Sequence, residues 1–175
     1  PLTVSMLRAL PAGLLLLILV RRVPNLSFLP KILLLGTLNF SIFWWLLFIA
    51  AYRLPGGVAA TVGAIQPLLV IVFAHLLLGS TIQLISIFAA FLGLCGIGVL
   101  ILTPSASLDA IGISAGLSGA VAMALGTVLS RRWQPNESAL AFTAWQLIAG
   151  GLVLLPFSYW LEPSLPDLSV NNILG

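Results

Sequence analysis

From Leu54 to Leu108 the chain carries no Asp, Glu, Lys or Arg. Only 6% of all its residues are charged and 61% are hydrophobic, whereas a soluble domain carries about 25% charged residues. There is too little charge to cover a water-facing surface, so the chain is predicted to be an integral membrane protein. A bilayer core asks for roughly 20 apolar residues per helix. The apolar runs are of that length and do not alternate as membrane-barrel strands do. The predicted fold class is therefore an all-α membrane protein. The charge-free stretch is too long for one helix, and Gly79-Ser80-Thr81 supplies the break.

Six transmembrane helices are predicted, at about 4–20, 32–52, 57–78, 84–102, 111–130 and 139–160. Pro24, Pro30, Pro55, Pro104, Pro135 and Pro163 fall between or just beyond them, where helices are punctuated. Arg21, Arg22 and Lys31 lie in the loop 21–31, and Arg131 and Arg132 in the loop 131–138. Alternating spans put both loops on one side and leave Arg8 and Arg53 on the other. The basic-rich side is expected to be cytoplasmic. With so few charges, the net charge of +3 is a topology signal, not a nucleic-acid footprint. Cys95, the single cysteine, sits in an apolar run and is expected to be buried filler. The chain opens at Pro1 without Met and stops at Gly175, and reads as a piece of something longer.

Residues 6–17, MLRALPAGLLLL, echo residues 144–155, AWQLIAGGLVLL, at an offset of 138. Gly13 then matches Gly151, and Arg8 meets Gln146. The copies occupy the first and sixth spans, an odd number apart, so the second runs inverted. Inverted-topology repeats are a common architecture of secondary transporters. Chance alignment of Leu/Gly-rich helices is the competing explanation.

Several side chains stand out against the lipid-soluble background. At 100° per residue, Thr37, Ser41, Trp44, Trp45, Phe48 and Tyr52 share one face of the second span, and Asn39 points away. The stripe could line a cavity that stacks an amphipathic solute, or pack inside a bundle. Asn39 fits an interhelical hydrogen bond or a ligand contact. In the third span, Ala60, Gly63, Ala64, Pro67 and Ala74 form a small-residue face. Pro67 should kink the helix and free the Gly63 carbonyl, with Gln66 beside it as a hinge or binding element. His75 could relay protons or simply sit near the interface. Gly112, Gly116 and Gly119 begin a glycine face on the fifth span that reads first as a packing seam. Gln146 and Trp145 repeat the theme of an embedded amide beside an aromatic. Arg8 could attract anionic groups or snorkel to the interface.

Enzymatic readings fare poorly. Gly116-Leu117-Ser118-Gly119 matches the GxSG of rhomboid-type proteases, but a serine nucleophile needs a base. The only histidine, His75, precedes the serine instead of following it. No metal-ligand cluster or phosphate loop is present, and no cofactor or metal is expected.

The run YRLPGGVAATVGAIQPLLVIVFAHLLLG, followed by FLGLCGIGVLIL, resembles the EamA-type drug/metabolite transporter superfamily. LRALPAGLLLLILVRR is similar to that family's second helix, and GLSGAVAMALGTVLSRRW with FTAWQLIAGGLVLLP to its sixth and seventh. The nearest branch is that of blue-pigment (indigoidine-type) exporters. The resemblance implies a ten-helix fold of two inverted five-helix repeats. On it, 1–103 is the first repeat without its first helix, and 104–175 holds the first two helices of the second. The family's Leu-Gly-Glu turn after the fourth helix is broken here, because Ser80 stands after Gly79. The resemblance also implies a central cavity to which the second, third and fifth spans contribute.

The expected function is export of a small amphipathic metabolite or drug by alternating access. The alternative is a non-transporting helical scaffold. Candidate solute contacts are Ser41, Trp44, Trp45, Tyr52, Gln66 and Gln146; hinge and packing positions are Gly63, Pro67, Gly112, Gly116 and Gly119. Expected partners are the lipid bilayer, the solute and the remaining helices of a longer chain, with a homo-oligomer left open and no nucleic acid.

Overall fold

A computed structural model describes residues 2–101, 109–134 and 136–162. Its elements are α1 (Leu2–Val20), α2 (Leu29–Gly36), α3 (Phe43–Arg53), α4 (Gly56–Gly63), α5 (Gln66–Leu78), α6 (Leu84–Ile101), α7 (Ala110–Arg132) and α8 (Ala139–Leu161). A 3-10 turn at Leu26–Phe28 precedes α2, and a π-helical turn at Thr37–Ile42 joins α2 to α3. Among the described residues five stretches are long and apolar enough to cross a membrane: Leu2–Val20, Leu26–Arg53, Gly56–Leu78, Ala110–Arg132 and Ala139–Leu161. The apolar α6 occupies the predicted fourth span. The chain is thus an all-helical, multi-pass integral membrane protein. Pro104, Pro135, Pro163 and the last residue of the predicted fourth span lie outside the described residues.

The helix ends are set by local chemistry. The Asp109 carboxylate accepts from the Gly112 N–H at 2.8 Å, and the Ser138 hydroxyl accepts from the Ala141 N–H at 3.2 Å. Each satisfies a donor that a helix start leaves orphaned. Gly79 closes α5 at φ 65°, a left-handed conformation that costs glycine little. The Gly79 and Ser80 N–H groups donate to the His75 and Ala74 carbonyls, and a His75 ring nitrogen lies 2.8 Å from the Ser80 carbonyl. The third span breaks as its proline demands. α4 stops at Gly63 and α5 restarts at Gln66, with Pro67 in the first turn, where its missing N–H does no harm.

Small residues decide how the helices meet. α1 and α8 form an extensive antiparallel pair. A Cβ on Gly13 would lie 2.8 Å from the Ile148 side chain, and one on Gly151 would lie 2.5 Å from the Leu10 side chain. Shifting Gly13 and Leu10 by the offset of 138 gives Gly151 and Ile148. The two contacts therefore exchange under a local two-fold axis across the pair. α2 crosses α8 backbone to backbone, since a Cβ on Gly150 would lie 2.7 Å from the Gly36 carbonyl oxygen. α7 packs on α3, α4 and α5. Gly112 receives Leu54 and Gly116 receives Val62, each with a would-be Cβ separation of 2.8 Å. Gly63 faces open space instead.

Two buried clusters sit at opposite ends of the bundle. Ile32, Leu35, Phe142 and Trp145 build one; Ala50, Leu54, Val58, Val62 and Ala115 build the other. Beside the first, the Trp145 indole donates to the Arg22 carbonyl at 2.8 Å. Nearby, the Lys31 ammonium lies over Phe28 and Trp133 at 5.1 and 5.8 Å. Beside the second, Arg53 pairs with Asp109 at 3.2 Å. At that same end of α1, Glu162 accepts from the Leu2 and Thr3 N–H groups at 2.6 and 2.7 Å. The loops bearing Arg21, Arg22, Lys31, Arg131 and Arg132 thus share one end, and Arg53 lies at the other.

Adding one methyl at Gly150 should lower stability by about 1–3 kcal/mol, because two backbones must part. Gly63→Ala, in open space, should be neutral or slightly stabilising. Thermal unfolding in detergent of the two variants checks the contrast. Burial works against ionisation of Glu162. Hydrogen bonds, among them those from the Thr3 hydroxyl and the Thr3 and Leu2 N–H groups, outweigh it and lower its pKa from 4.5 to about 2. A depressed folded-state value stabilises fully above 4.5 and is lost as pH falls towards 2. Titrating melting temperature down through that window should therefore cost the wild-type chain more than Glu162→Gln.

Candidate functional site

The second span holds the main concentration of polar and aromatic groups, and its π turn decides how they are shared out. An α-helix advances about 100° per residue, and a π turn about 80°. Six residues, Thr37–Ile42, take the slower step, so the part before Phe43 is rotated relative to a continuous α-helix. Phe40 thereby comes into line with Trp44, and Thr37 and Ser41 swing towards Trp45. The predicted single stripe becomes two rows.

The first row is aromatic. Phe40 and Trp44 stack edge-to-face at 5.5 Å and 78°; Phe48 and Tyr52 follow at 6.5 Å. From α1, the Arg8 guanidinium lies over the Trp44 ring, 5.6 Å from its centroid. Tyr52, at the outer end of the row, is 73% exposed. The second row faces a groove of about 360 Å³, where Thr37, Ser41 and Trp45 meet Val153, Leu154 and Phe157 of α8. Ser41 is buried and donates to the Gly150 carbonyl at 2.8 Å, which ties the π turn to the glycine crossing.

Beneath the aromatic row lies a buried polar knot. Asn39 and Gln146 are 5% and 6% exposed, and Asn39 Nδ2 donates to Gln146 Oε1 at 2.7 Å. Ser130 joins them, accepting from Asn39 at 3.2 Å and donating to Gln146 at 3.3 Å. Gly126 makes room, since a Cβ there would overlap Asn39 Oδ1. That oxygen is buried without a hydrogen-bond partner. The knot and Phe40 wall a cavity of about 350 Å³ whose rim carries Thr127, Arg131 and Thr143. A second cleft, about 450 Å³, opens beside Trp145 between residues 23–28 and Asn136–Glu137.

The knot brings Gln146 together with Asn39, and Ser41 lies one turn away on α8's backbone. Trp44 and Trp45 fall on different rows. Gln66 stands apart, half-buried at the head of α5 just past the break. Gly112, Gly116 and Gly119 face α3 and α4. The sequence reading did not find Phe40, the Arg8–Trp44 contact or the Ser130 link. The i, i+4 spacing of Phe40, Trp44, Phe48 and Tyr52 was the available signal, and the π turn hid its first member. Among the described residues no group of His, Cys, Asp and Glu could hold a metal ion.

Burying one half of the Asn39–Gln146 pair without the other leaves an amide unsatisfied in an apolar layer. Asn39→Leu should cost about 1–2 kcal/mol. Gln146→Leu should cost less on that background than on wild type. A double-mutant cycle read by unfolding in detergent checks it; additive effects would show the bond to be idle.

Comparison with known proteins agrees with this architecture. The model of the EamA-like transporter family matches residues 1–102 and again residues 110–174. The chain is 44% identical to Protein PecM of Dickeya dadantii, over 100% of this chain and 59% of that protein. It is 30% identical to the uncharacterized transporter YvbV of Bacillus subtilis, over 93% of this chain and 55% of that protein. It is also 30% identical to a WAT1-related chloroplastic protein of Arabidopsis thaliana, over 100% of this chain and 46% of that protein. The chain thus spans about half the length of these relatives. No solved structure matches it at a significant level. Two matched segments, an all-helical membrane bundle and a reciprocal α1–α8 pair lead to one conclusion: the chain belongs to the EamA-like transporter family.

Proposed function

We propose that the whole protein is a secondary transporter that exports a small, partly aromatic metabolite across the bacterial cytoplasmic membrane. Transport proceeds by alternating access between two inverted repeats, the first within 1–103 and the second beginning at 104. The observation that carries this is the reciprocal packing of Gly13 on Ile148 and Gly151 on Leu10. Under a shift of 138 residues each contact becomes the other, as expected where equivalent helices of inverted repeats meet. The basic loops 21–31 and 131–138 then face the cytoplasm.

In this reading Trp44 and Tyr52 stack the solute along the aromatic row, Trp45 offers a second stacking surface on the groove against α8, and Gln66 hydrogen-bonds the solute from the head of α5 once that helix tilts. Ser41 and Gln146 hold the second span in place around the solute. The break before Pro67 is the hinge on which α5 tilts. The glycine seam of α7, from Gly112 to Gly119, is the surface over which α3 and α4 move.

Efflux of a panel of aromatic solutes from cells carrying the full-length gene tests the reading. Trp44→Ala and Gln66→Ala should each slow export by roughly three- to tenfold, the scale of one lost aromatic or hydrogen-bond contact. Pro67→Ala should slow it as well. Wild-type export by both site variants would overturn the site, and an inert Pro67→Ala would overturn the hinge.

A further inference from the structure

Arg8 is a cation inside a membrane helix. It lies about 9 Å along α1 from Leu2, and Trp44 about 13 Å along α3 from Arg53, at 1.5 Å per residue. Both therefore sit inside their helices and not at the rim. A long basic side chain within reach of the interface normally snorkels towards it. This one is laid over a mid-helix indole instead, 5.6 Å from the ring centroid. Among the described residues no acid accounts for it. Asp109 is bonded to Arg53, Glu162 to Leu2 and Thr3, and Glu137 lies at the opposite end of the bundle, beside Trp145. Asp167 is outside the described residues.

A guanidinium within about 6 Å of a ring face makes a cation–π contact and still offers its N–H edge to an acceptor. That edge is the planar fork that matches a carboxylate bidentately. Arg8 lies against Trp44 in the row Phe40, Trp44, Phe48 and Tyr52 and is itself exposed, so a bound acceptor can reach it. A ligand that stacks on the row and carries a negative group on its edge would satisfy the aromatic surface and the cation at once. An uncharged ligand would leave an intramembrane charge without an acceptor, which is costly.

We propose that Arg8 makes the Trp44 row selective for aromatic solutes bearing a carboxylate or a similar single negative charge. This rests on the transporter reading of the aromatic row and assigns its substrate class. The preference arises at one residue: Trp44 supplies affinity for the ring, and Arg8 supplies the discrimination between charged and uncharged forms of the same ring.

The test is equilibrium binding to the purified full-length protein in nanodiscs. Three probes share one ring system: 2-naphthoate, 2-naphthamide and 2-naphthylmethylammonium. Wild type should bind the naphthoate about tenfold or more tightly than the amide, and the ammonium most weakly. Arg8→Gln should bring the naphthoate-to-amide ratio to about one by weakening the naphthoate alone; Arg8→Lys, with a point charge but no fork, should keep part of it. Trp44→Ala should weaken naphthoate and amide together. The wild-type ranking tests the proposal without any variant, so a misfolded Arg8→Gln does not rescue it. Equal binding of naphthoate and amide would overturn the charge assignment while leaving the aromatic site standing. An unchanged ratio in a folded Arg8→Gln would do the same. Failure of wild type to bind any of the three would remove the aromatic site itself, and this assignment with it.

Discussion

The crossing of α8 over α1 and α2 is the constraint on which the arrangement rests. Lipid offers apolar side chains as good an environment as another helix does, so the hydrophobic effect does not sort these helices. Close approach has to do that instead. Gly13, Gly36, Gly150 and Gly151 bring three helices within backbone contact, and dispersion and the Ser41–Gly150 hydrogen bond act at short range. A helix without those glycines would stand off, and the π turn, the polar knot and both rows of the second span would lose their placement.

Polar groups in such a chain are few, and the structure concentrates them. Asn39, Ser130 and Gln146 bind each other across the second span, α7 and α8. The chain's ends use a different chemistry. Arg53–Asp109 and Glu162–Thr3 tie one end; cation–ring contacts by Lys31 and the Trp145–Arg22 hydrogen bond tie the other. Directional bonds fix register within the membrane layer, while the ends are held by groups that water can reach.

Much of the helical architecture was legible because the signals were long and local. Absence of charge over Leu54–Leu108, prolines at the boundaries and Gly79 as a stop each act within a few residues. The third-span break agrees with the kink expected at Pro67, although Pro11 and Pro156 lie inside unbroken α1 and α8. The site was less legible, because it depends on phase. Treating Thr37–Tyr52 as one regular helix put Ser41, Trp44 and Trp45 on a common face. The structure turns Ser41 towards Trp45 and away from Trp44 through wider turns before Phe43 that no residue type announces. Asn39 could be anticipated as an interhelical bond, but its partners could not, since 107 positions separate it from Gln146. The offset of 138 was visible as a faint echo of letters; its meaning lay in which residues touch.

The π turn has a consequence for how this membrane wall can vary. Its shortfall of rotation is confined to Thr37–Ile42, between two stretches of ordinary helix. Losing or gaining one residue there would re-phase Phe40 against Trp44 and leave Trp44, Phe48 and Tyr52 in their mutual alignment. The inner and outer portions of the wall are geared separately, like two dials on one shaft. A descendant of this gene could retune what its deeper chamber accepts without disturbing the mouth.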